Sequence, residues 1–194
     1  MSVADLDIAL VAAYPRRDAA VLHAWLSDPH AAFWGMGGLD RAAIVDYLDG
    51  VLAHPAQQAW LGLVDGAPTF YAETYDPLRV LLAGVRDLAQ GDLGMHVLIS
   101  PPAGEPRHGL TDAVFATVMA WCFSALEAER VVVEPDVRNG RIRRKNARAG
   151  FAELREVTVA DGGHAKTAML SVCTRASFAA SELSCLIRRE GGRA

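Results

Sequence analysis

His96 stands within Met95-His96-Val97-Leu98-Ile99, a short apolar run that reads as a buried strand halted by Pro101-Pro102. An unperturbed imidazole titrates at about pH 6.5, so one placed in a site can take a proton near neutrality. By residue type alone, a single histidine on an apolar strand reads as a hydrogen-bonded structural side chain. Asp136 follows Pro135 at the carboxyl end of a second apolar run, Val131–Glu134. It has two compatible readings: a helix N-cap that accepts backbone N–H groups, or an acid beside a reacting group. Glu73 alternates with Tyr71 and Tyr75, so the three side chains project to one side of their strand. That spacing suits a polar outer face, or an acceptor pocket in which the carboxylate pairs with a cationic amine and the rings pack on its alkyl chain. His30 and Trp34 are further acceptor candidates, although a Trp in this glycine-containing loop also reads as a plug at the core edge. Asn139 reads as a helix-start residue. Arg138, Arg141, Arg144, Lys145 and Arg148 make a basic helix, by default a solvated face and secondarily a phosphate contact. His23, His54 and His164 carry no metal-like grouping, so no metal is expected.

Periodicity and breakers outline the elements that must position these residues. Ile8–Tyr14 is a predicted strand ended by Pro15, and Asp18 caps a short helix through Leu26. Asp40 precedes Ile44, Tyr47, Leu48, Val51 and Leu52, one helical face. Ala59–Val64 and Thr69–Tyr75 form a hairpin around Asp65-Gly66-Ala67-Pro68. There follow a strand at Met95–Ser100, a buried helix over Gly109–Leu126, a strand at Val131–Glu134 and a helix over Arg138–Ala149 closed by Gly150. Strands at Phe151–Val159 and Lys166–Thr174 and an extra C-terminal helix over 177–190 complete the order. A three-strand antiparallel section leading into strand–helix–strand units implies an α/β (α+β) fold with a mixed sheet and packed helices.

The 194 residues suit one domain spanning 1–194. A composition of 52% hydrophobic and 22% charged residues is that of an ordinary globular protein. The net charge of −4 offers no general attraction to nucleic acid or an anionic membrane. Three cysteines without metal-ligand spacing read as core hydrophobes in a reducing cytoplasm. No run approaches the roughly 18 apolar residues of a membrane helix, and Asp5 and Asp7 precede the first basic residue, Arg16, unlike a secretion signal. The expectation is a soluble cytoplasmic protein, monomeric or homodimeric, that binds neither nucleic acid nor membrane.

Residues 131–139, Val-Val-Val-Glu-Pro-Asp-Val-Arg-Asn, followed by Ile142 and Ala149-Gly150-Phe151, resemble the fifth strand, fourth helix and following Gly-Phe step of the GNAT acyltransferase family. The order of elements is also that of the GNAT fold. Leu22–His30 with Phe33-Trp34, Tyr71–Tyr75 and Gly94–Ile99 are similar to the siderophore-biosynthesis branch, which acylates hydroxylysine in aerobactin-type and lysine side chains in mycobactin-type pathways. The resemblance spans about residues 8 to 160. It implies a mostly antiparallel mixed sheet, helices on both faces and diverging fourth and fifth strands. It also implies an acetyl coenzyme A or other acyl coenzyme A donor, or an acyl-carrier-protein thioester, and an amine or hydroxylamine acceptor of lysine or ornithine type, giving an amide or hydroxamate. His96 takes the place of the family's catalytic base, aided by Asp136, while backbone N–H groups of Val97, Leu98 and Ile99 polarise the donor carbonyl. Asn139 falls where the pantetheine arm or thioester is contacted.

Two departures stand out. The family's donor loop, Arg/Gln-x-x-Gly-x-Gly/Ala, is Pro106-Arg107-His108-Gly109-Leu110-Thr111 here; Gly109 alone fits, Pro106 lacks an N–H, and Arg107 and His108 offer charge instead. A tyrosine acid common in the fourth helix is Asn146. The alternatives are a GNAT N-acetyltransferase for an antibiotic, polyamine or protein amine, and a catalytically silent GNAT-like binding domain.

Overall fold

The chain runs β1 (Ser2–Val3), β2 (Leu6–Ala12), α1 (Pro15–Leu26), a 3-10 turn (Pro29–Trp34), α2 (Arg41–Ala53), β3 (Gln57–Val64), β4 (Ala67–Tyr75), β5 (Asp92–Ile99) and α3 (Leu110–Ser124). It continues through β6 (Arg130–Val133), α4 (Gly140–Arg148), β7 (Ala152–Asp161), β8 (His164–Thr174), α5 (Arg175–Ala179) and a 3-10 turn (Leu183–Leu186). This computed structural model describes residues 2–3, 5–102, 104–161 and 164–187. The strands lie in the order β1-β2-β3-β4-β5-β6-β8-β7, antiparallel except for the β5–β6 pair.

That parallel pair is short. It has three rungs, Asp92↔Arg130, Leu93↔Val131 and Gly94↔Val132. Beyond Gly94, β5 stays paired with β4 as far as Ile99 opposite Phe70, while β6 ends at Val133. The two strands therefore part at Gly94, as expected of the family's fourth and fifth strands. A Cβ on Gly94 would collide with the Tyr75 ring, so the absent side chain lets that ring lie across β5.

Alternation along β4 divides the interior. Phe70 packs in a core with Met95, Val131, Val133 and the buried side of α3, while its neighbour Tyr71 packs with Leu98 and the apolar faces of α1 and α2. Helices thus cover both faces, as expected. The face read for α2 holds at Ile44, Leu48 and Val51, with Asp40 accepting from the Ala43 N–H at 2.8 Å; Leu52 is exposed.

Local differences from the sequence reading have clear causes. Pro15 opens α1 rather than merely ending a strand, since its fixed φ suits a first helical position. Asp18 therefore lies inside the first turn and accepts the Tyr14 N–H at 2.7 Å instead of standing ahead of the helix. The β3–β4 turn is only Asp65-Gly66, both at positive φ of 51° and 80°, a mirrored two-residue turn. The C-terminal helix expected over 177–190 is replaced by α5 and a separate 3-10 turn; its residues 188–190 lie outside the described residues. With Phe178 buried, an unbroken helix would carry Ser181, Glu182 and Cys185 inward on the same face. The break turns Leu183 into the core instead.

Candidate active site

Antiparallel register sets Glu73 directly opposite His96 across β4 and β5. On the other side, His96 and Glu134 each lie two residues beyond the last rung of the β5–β6 pair, Gly94↔Val132. The imidazole is consequently held between two carboxylates. Its Nε2 is 2.7 Å from Glu134 Oε1 and its Nδ1 is 3.2 Å from Glu73 Oε2. Glu73 Oε1 accepts the hydroxyls of Tyr71, at 2.8 Å, and of Tyr47 from α2. Glu134 Oε2 accepts the Tyr75 hydroxyl at 2.7 Å, and Lys166 Nζ lies 3.5 Å from Oε1. Trp34 stands edge-on to the imidazole at 6.0 Å between ring centroids, and the Tyr75 ring is 5.1 Å away.

Burial and charge oppose one another here. Glu73 and Glu134 are 5% and 1% exposed, whereas the His96 side chain keeps 23% of its surface in contact with solvent. Burial would lower the imidazole pKa, but the charge and hydrogen bond of Glu134, joined by those of Glu73, outweigh it and bring His96 up to about 10. Burial would likewise raise Glu134; the His96 cation, Lys166 and the Tyr75 hydroxyl take it down to about 2. Tyr71 is pushed well above its usual range by burial and by Glu73 beside it. At neutral pH the imidazole is therefore a cation with both N–H groups donating.

The candidates divide accordingly. His96, Glu73, Tyr71, Tyr75 and Trp34 come together. Glu73 is not on an outer face, nor free to pair with an acceptor cation, because its oxygens serve His96 and two phenols. Asp136 does not orient the imidazole: both ring nitrogens are already taken. Its own carboxylate is held by Arg138, through the backbone N–H at 2.8 Å, Nε at 2.8 Å and Nη2 at 2.6 Å. The Arg138 hydrogen bond chiefly holds Asp136 down to about 2. Nor is Asp136 the cap of α4, a position filled by Asn139, which accepts the Ile142 N–H at 3.3 Å. Asp136 instead borders a cleft of about 310 Å³ with Val137, Arg138, Ala165, Lys166 and Thr167. Lys166 reaches from that cleft to Glu134. His30 is exposed on the 3-10 turn that carries Trp34, its backbone N–H donating to Asp28 at 2.7 Å.

On the opposite face, Gly109 caps α3 at φ 78° with no side-chain hydrogen bond, and Leu110 and Thr111 begin the helix. Arg107 is spent on Asp65 at 2.7 Å, and His108 is exposed. Lys145 and Arg148 both pair with Asp112, and Arg143 with Glu153, so much of the basic helix is neutralised by neighbours. Val97 and Ile99 are half-buried against the α3 core, while Leu98 is buried on the α1–α2 face. Among the described residues, no group of three or more His, Cys, Asp or Glu side chains is arranged to hold a metal ion, and no helix is long and apolar enough to cross a membrane.

Sequence reading missed Glu134, Tyr47 and Lys166. A carboxylate closing a run of three valines was a usable signal, since such a strand end is buried and a buried charge needs a partner. Tyr47 was concealed by its place on an apolar helical face. Lys166 carried no local signal at all.

Comparison with known proteins agrees with this architecture. The chain is 28% identical over 162 residues to an N-hydroxyputrescine acetyltransferase of Acinetobacter baumannii, covering 84% of this chain and 75% of the relative. It is 27% identical over 169 residues to an aminoglycoside N(6')-acetyltransferase type 1 of Klebsiella pneumoniae, covering 83% and 80%. A solved protein of uncharacterised function from Bacillus halodurans superposes with a TM-score of 0.81 at 23% identity, covering 93% of this chain and 90% of that one. A solved aminoglycoside acetyltransferase, AAC(6')-Ib in complex with coenzyme A, superposes with a TM-score of 0.73 at 25% identity over 89% and 97%. Residues 14–159 match the acetyltransferase (GNAT) domain family, and the chain belongs to it.

Proposed function

We propose that this chain is an acyl coenzyme A-dependent N-acyltransferase acting on the N-hydroxyamine or amine of a small lysine-, ornithine- or diamine-like acceptor, in hydroxamate siderophore biosynthesis. The observation that carries the reading is the His96 imidazolium held between buried Glu73 and Glu134, lined by Trp34 and Tyr75, where β5 parts from β6.

Coenzyme A fits the chain. Past Gly94 the β6-facing edge of β5 has no ladder, and α3 opens at a glycine with positive φ. Val97, Leu98 and Ile99 would hold the thioester end, and Gly109, Leu110 and Thr111 the pyrophosphate, with Arg107 and His108 nearby and Asn139 toward the pantetheine. When bound, the donor supplies an activated acyl group.

The charge state of His96 favours the N-hydroxyamine. An imidazole already protonated and donating from both nitrogens takes no proton from an incoming alkylammonium. An N-hydroxyamine is neutral at physiological pH and needs no prior base. As the new C–N bond formed, the thioester C–S bond would break and coenzyme A would leave as the thiolate, while the nitrogen's proton would pass to Glu73 Oε2, the longer of the two imidazole contacts. The rings of Trp34 and Tyr75 give the acceptor's second, cationic end a favourable approach. The N-hydroxyputrescine acetyltransferase relative supports this choice. The aminoglycoside relatives and their shared fold support a second reading, N-acetylation of an aminoglycoside amine.

Thiol release, measured with acyl coenzyme A donors against N-hydroxylysine, N-hydroxyornithine, N-hydroxyputrescine, their parent amines and kanamycin, decides between them. The expected result is a higher kcat/KM for each N-hydroxyamine than for its parent amine. A kcat/KM for kanamycin above all of these overturns the siderophore reading in favour of the second.

A further inference from the structure

Lys166 borders the cleft beside the buried chain, and its ammonium is only partly engaged. Among the described residues it makes one ion pair, 3.5 Å to Glu134 Oε1, an oxygen that His96 Nε2 already takes at 2.7 Å. An ammonium has three N–H donors, and this side chain keeps 29% of its surface in solvent. The sheet decides which way it faces. On β8, Lys166, Ala168 and Leu170 alternate onto one side. Ala168 and Leu170 pack there with Val132 of β6 and with Val159, the residue opposite Lys166 on β7. Glu134, two residues beyond Val132, continues that side, and Asp136 bridges to Ala168 across it. Lys166 and Asp136 therefore lie on the His96 side of the sheet, away from Val131, Val133 and the α3 core.

Charge is graded from the imidazole to the cleft. Glu73, His96 and Glu134 carry two carboxylates and one imidazolium, an excess of one negative charge. The charged residues bordering the cleft of about 310 Å³ are Lys166, Arg138 and Asp136, an excess of one positive charge. A diamine acceptor with an ammonium alone at its far end would bring that ammonium to the positive cleft, where like charge disfavours it. An amino-acid acceptor would set its α-carboxylate against Lys166 and its α-ammonium beside Asp136. That carboxylate takes three hydrogen bonds from Arg138 and retains acceptor capacity. Three contacts, none longer than 3.5 Å, and the width of one imidazole separate Glu73 from Lys166. An ornithine or lysine side chain, hydrogen-bonded at either end, covers that span.

We propose that Lys166 is an acceptor-binding residue whose ammonium holds the α-carboxylate of an amino-acid acceptor, selecting N-hydroxyornithine- or N-hydroxylysine-type substrates over the corresponding diamines. The assignment rests on the N-hydroxyamine reading above and narrows it.

Thiol release with N-hydroxyornithine and with N-hydroxyputrescine, the same molecule without its carboxylate, tests it in wild type, Lys166→Met and Lys166→Arg. Calorimetric titration of each folded protein with N-hydroxyornithine accompanies it, and Lys166→Gln serves if the methionine variant does not fold. The ratio of the two kcat/KM values is the readout, because an effect exerted through Glu134 falls on both acceptors and cancels. Wild type should favour N-hydroxyornithine by about tenfold or more, the worth of a charge-assisted hydrogen bond. Lys166→Met should bring the ratio close to unity and weaken N-hydroxyornithine binding by about tenfold, and Lys166→Arg should restore most of the preference. A wild-type ratio at or below unity, or a preference that survives Lys166→Met, overturns the assignment. Wild-type protein that releases thiol with neither acceptor is a different result: it removes the N-hydroxyamine reading itself.

Discussion

The two faces of the sheet carry charge in opposite ways. On the α1–α2 face, Glu73, His96 and Glu134 form a buried chain in which every carboxylate oxygen has a partner. On the α3–α4 face, Arg107–Asp65, Arg143–Glu153 and Arg148–Glu182 are pairs at or near the surface. Exposed pairs of this kind contribute about 0–1 kcal/mol, whereas removing one partner of a buried pair costs about 3–5 kcal/mol. Surface arginines can therefore exchange a carboxylate for a phosphate at little cost. The buried chain cannot be rearranged piecemeal. One face carries a fixed and fully partnered chain, and the other carries pairs that can exchange at little cost.

Substitution at the centre of the buried chain breaks this contrast most severely. His96→Asn should reduce kcat per folded molecule by about 10²-fold, because Glu73 loses the imidazolium that positions it, and also lower stability by about 3–5 kcal/mol, because Glu73 and Glu134 lose their cation. Turnover and a denaturant midpoint measured on one preparation check both figures. Loss of turnover at unchanged stability would mean that the imidazole is not charged in the folded protein.

The next effect is one of pH. His96 is raised from 6.5 to about 10, so its contribution to stability is complete below about pH 6.5 and disappears as pH rises through 10. Glu134 is lowered from 4.5 to about 2, so its contribution is complete above about pH 4.5 and disappears as pH falls through 2. Both are present between about pH 4.5 and 6.5. The denaturant midpoint should decline from pH 6.5 to 10 in wild type, and Glu134→Gln should flatten that decline. An identical slope in the two proteins would assign the pH dependence to other groups.

The smallest change is expected on the other face. Arg107→Ala should shift stability by no more than about 0.5 kcal/mol and leave the acceptor KM unaltered, with any effect confined to donor affinity. A large stability loss would show that the Arg107–Asp65 pair is structural and that the two faces are more alike than their burial indicates.

Sequence was enough for the architecture because period and punctuation are local. Asp40 ahead of the Ile44, Leu48 and Val51 face, the Asp65-Gly66 turn, and Gly150 at φ 91° each act through their own neighbours, and the elements they bound appear within a few residues of the predicted positions, unlike the C-terminal helix expected over 177–190. His96, Glu73, Tyr71, Tyr75 and Trp34 were also legible as candidates, because polar or aromatic side chains on apolar strands and loops already call for an explanation. What each one touches was not legible. Glu134 became a partner of His96 only because β5 and β6 pair in parallel and part at Gly94, leaving two residues beyond the last rung side by side. Asp136, two residues farther along, was captured by Arg138. Strand register across 38 residues of chain decides which carboxylate meets the imidazole, and the two carboxylates decide its charge against the effect of burial. Neither quantity exists in the sequence until the sheet has formed.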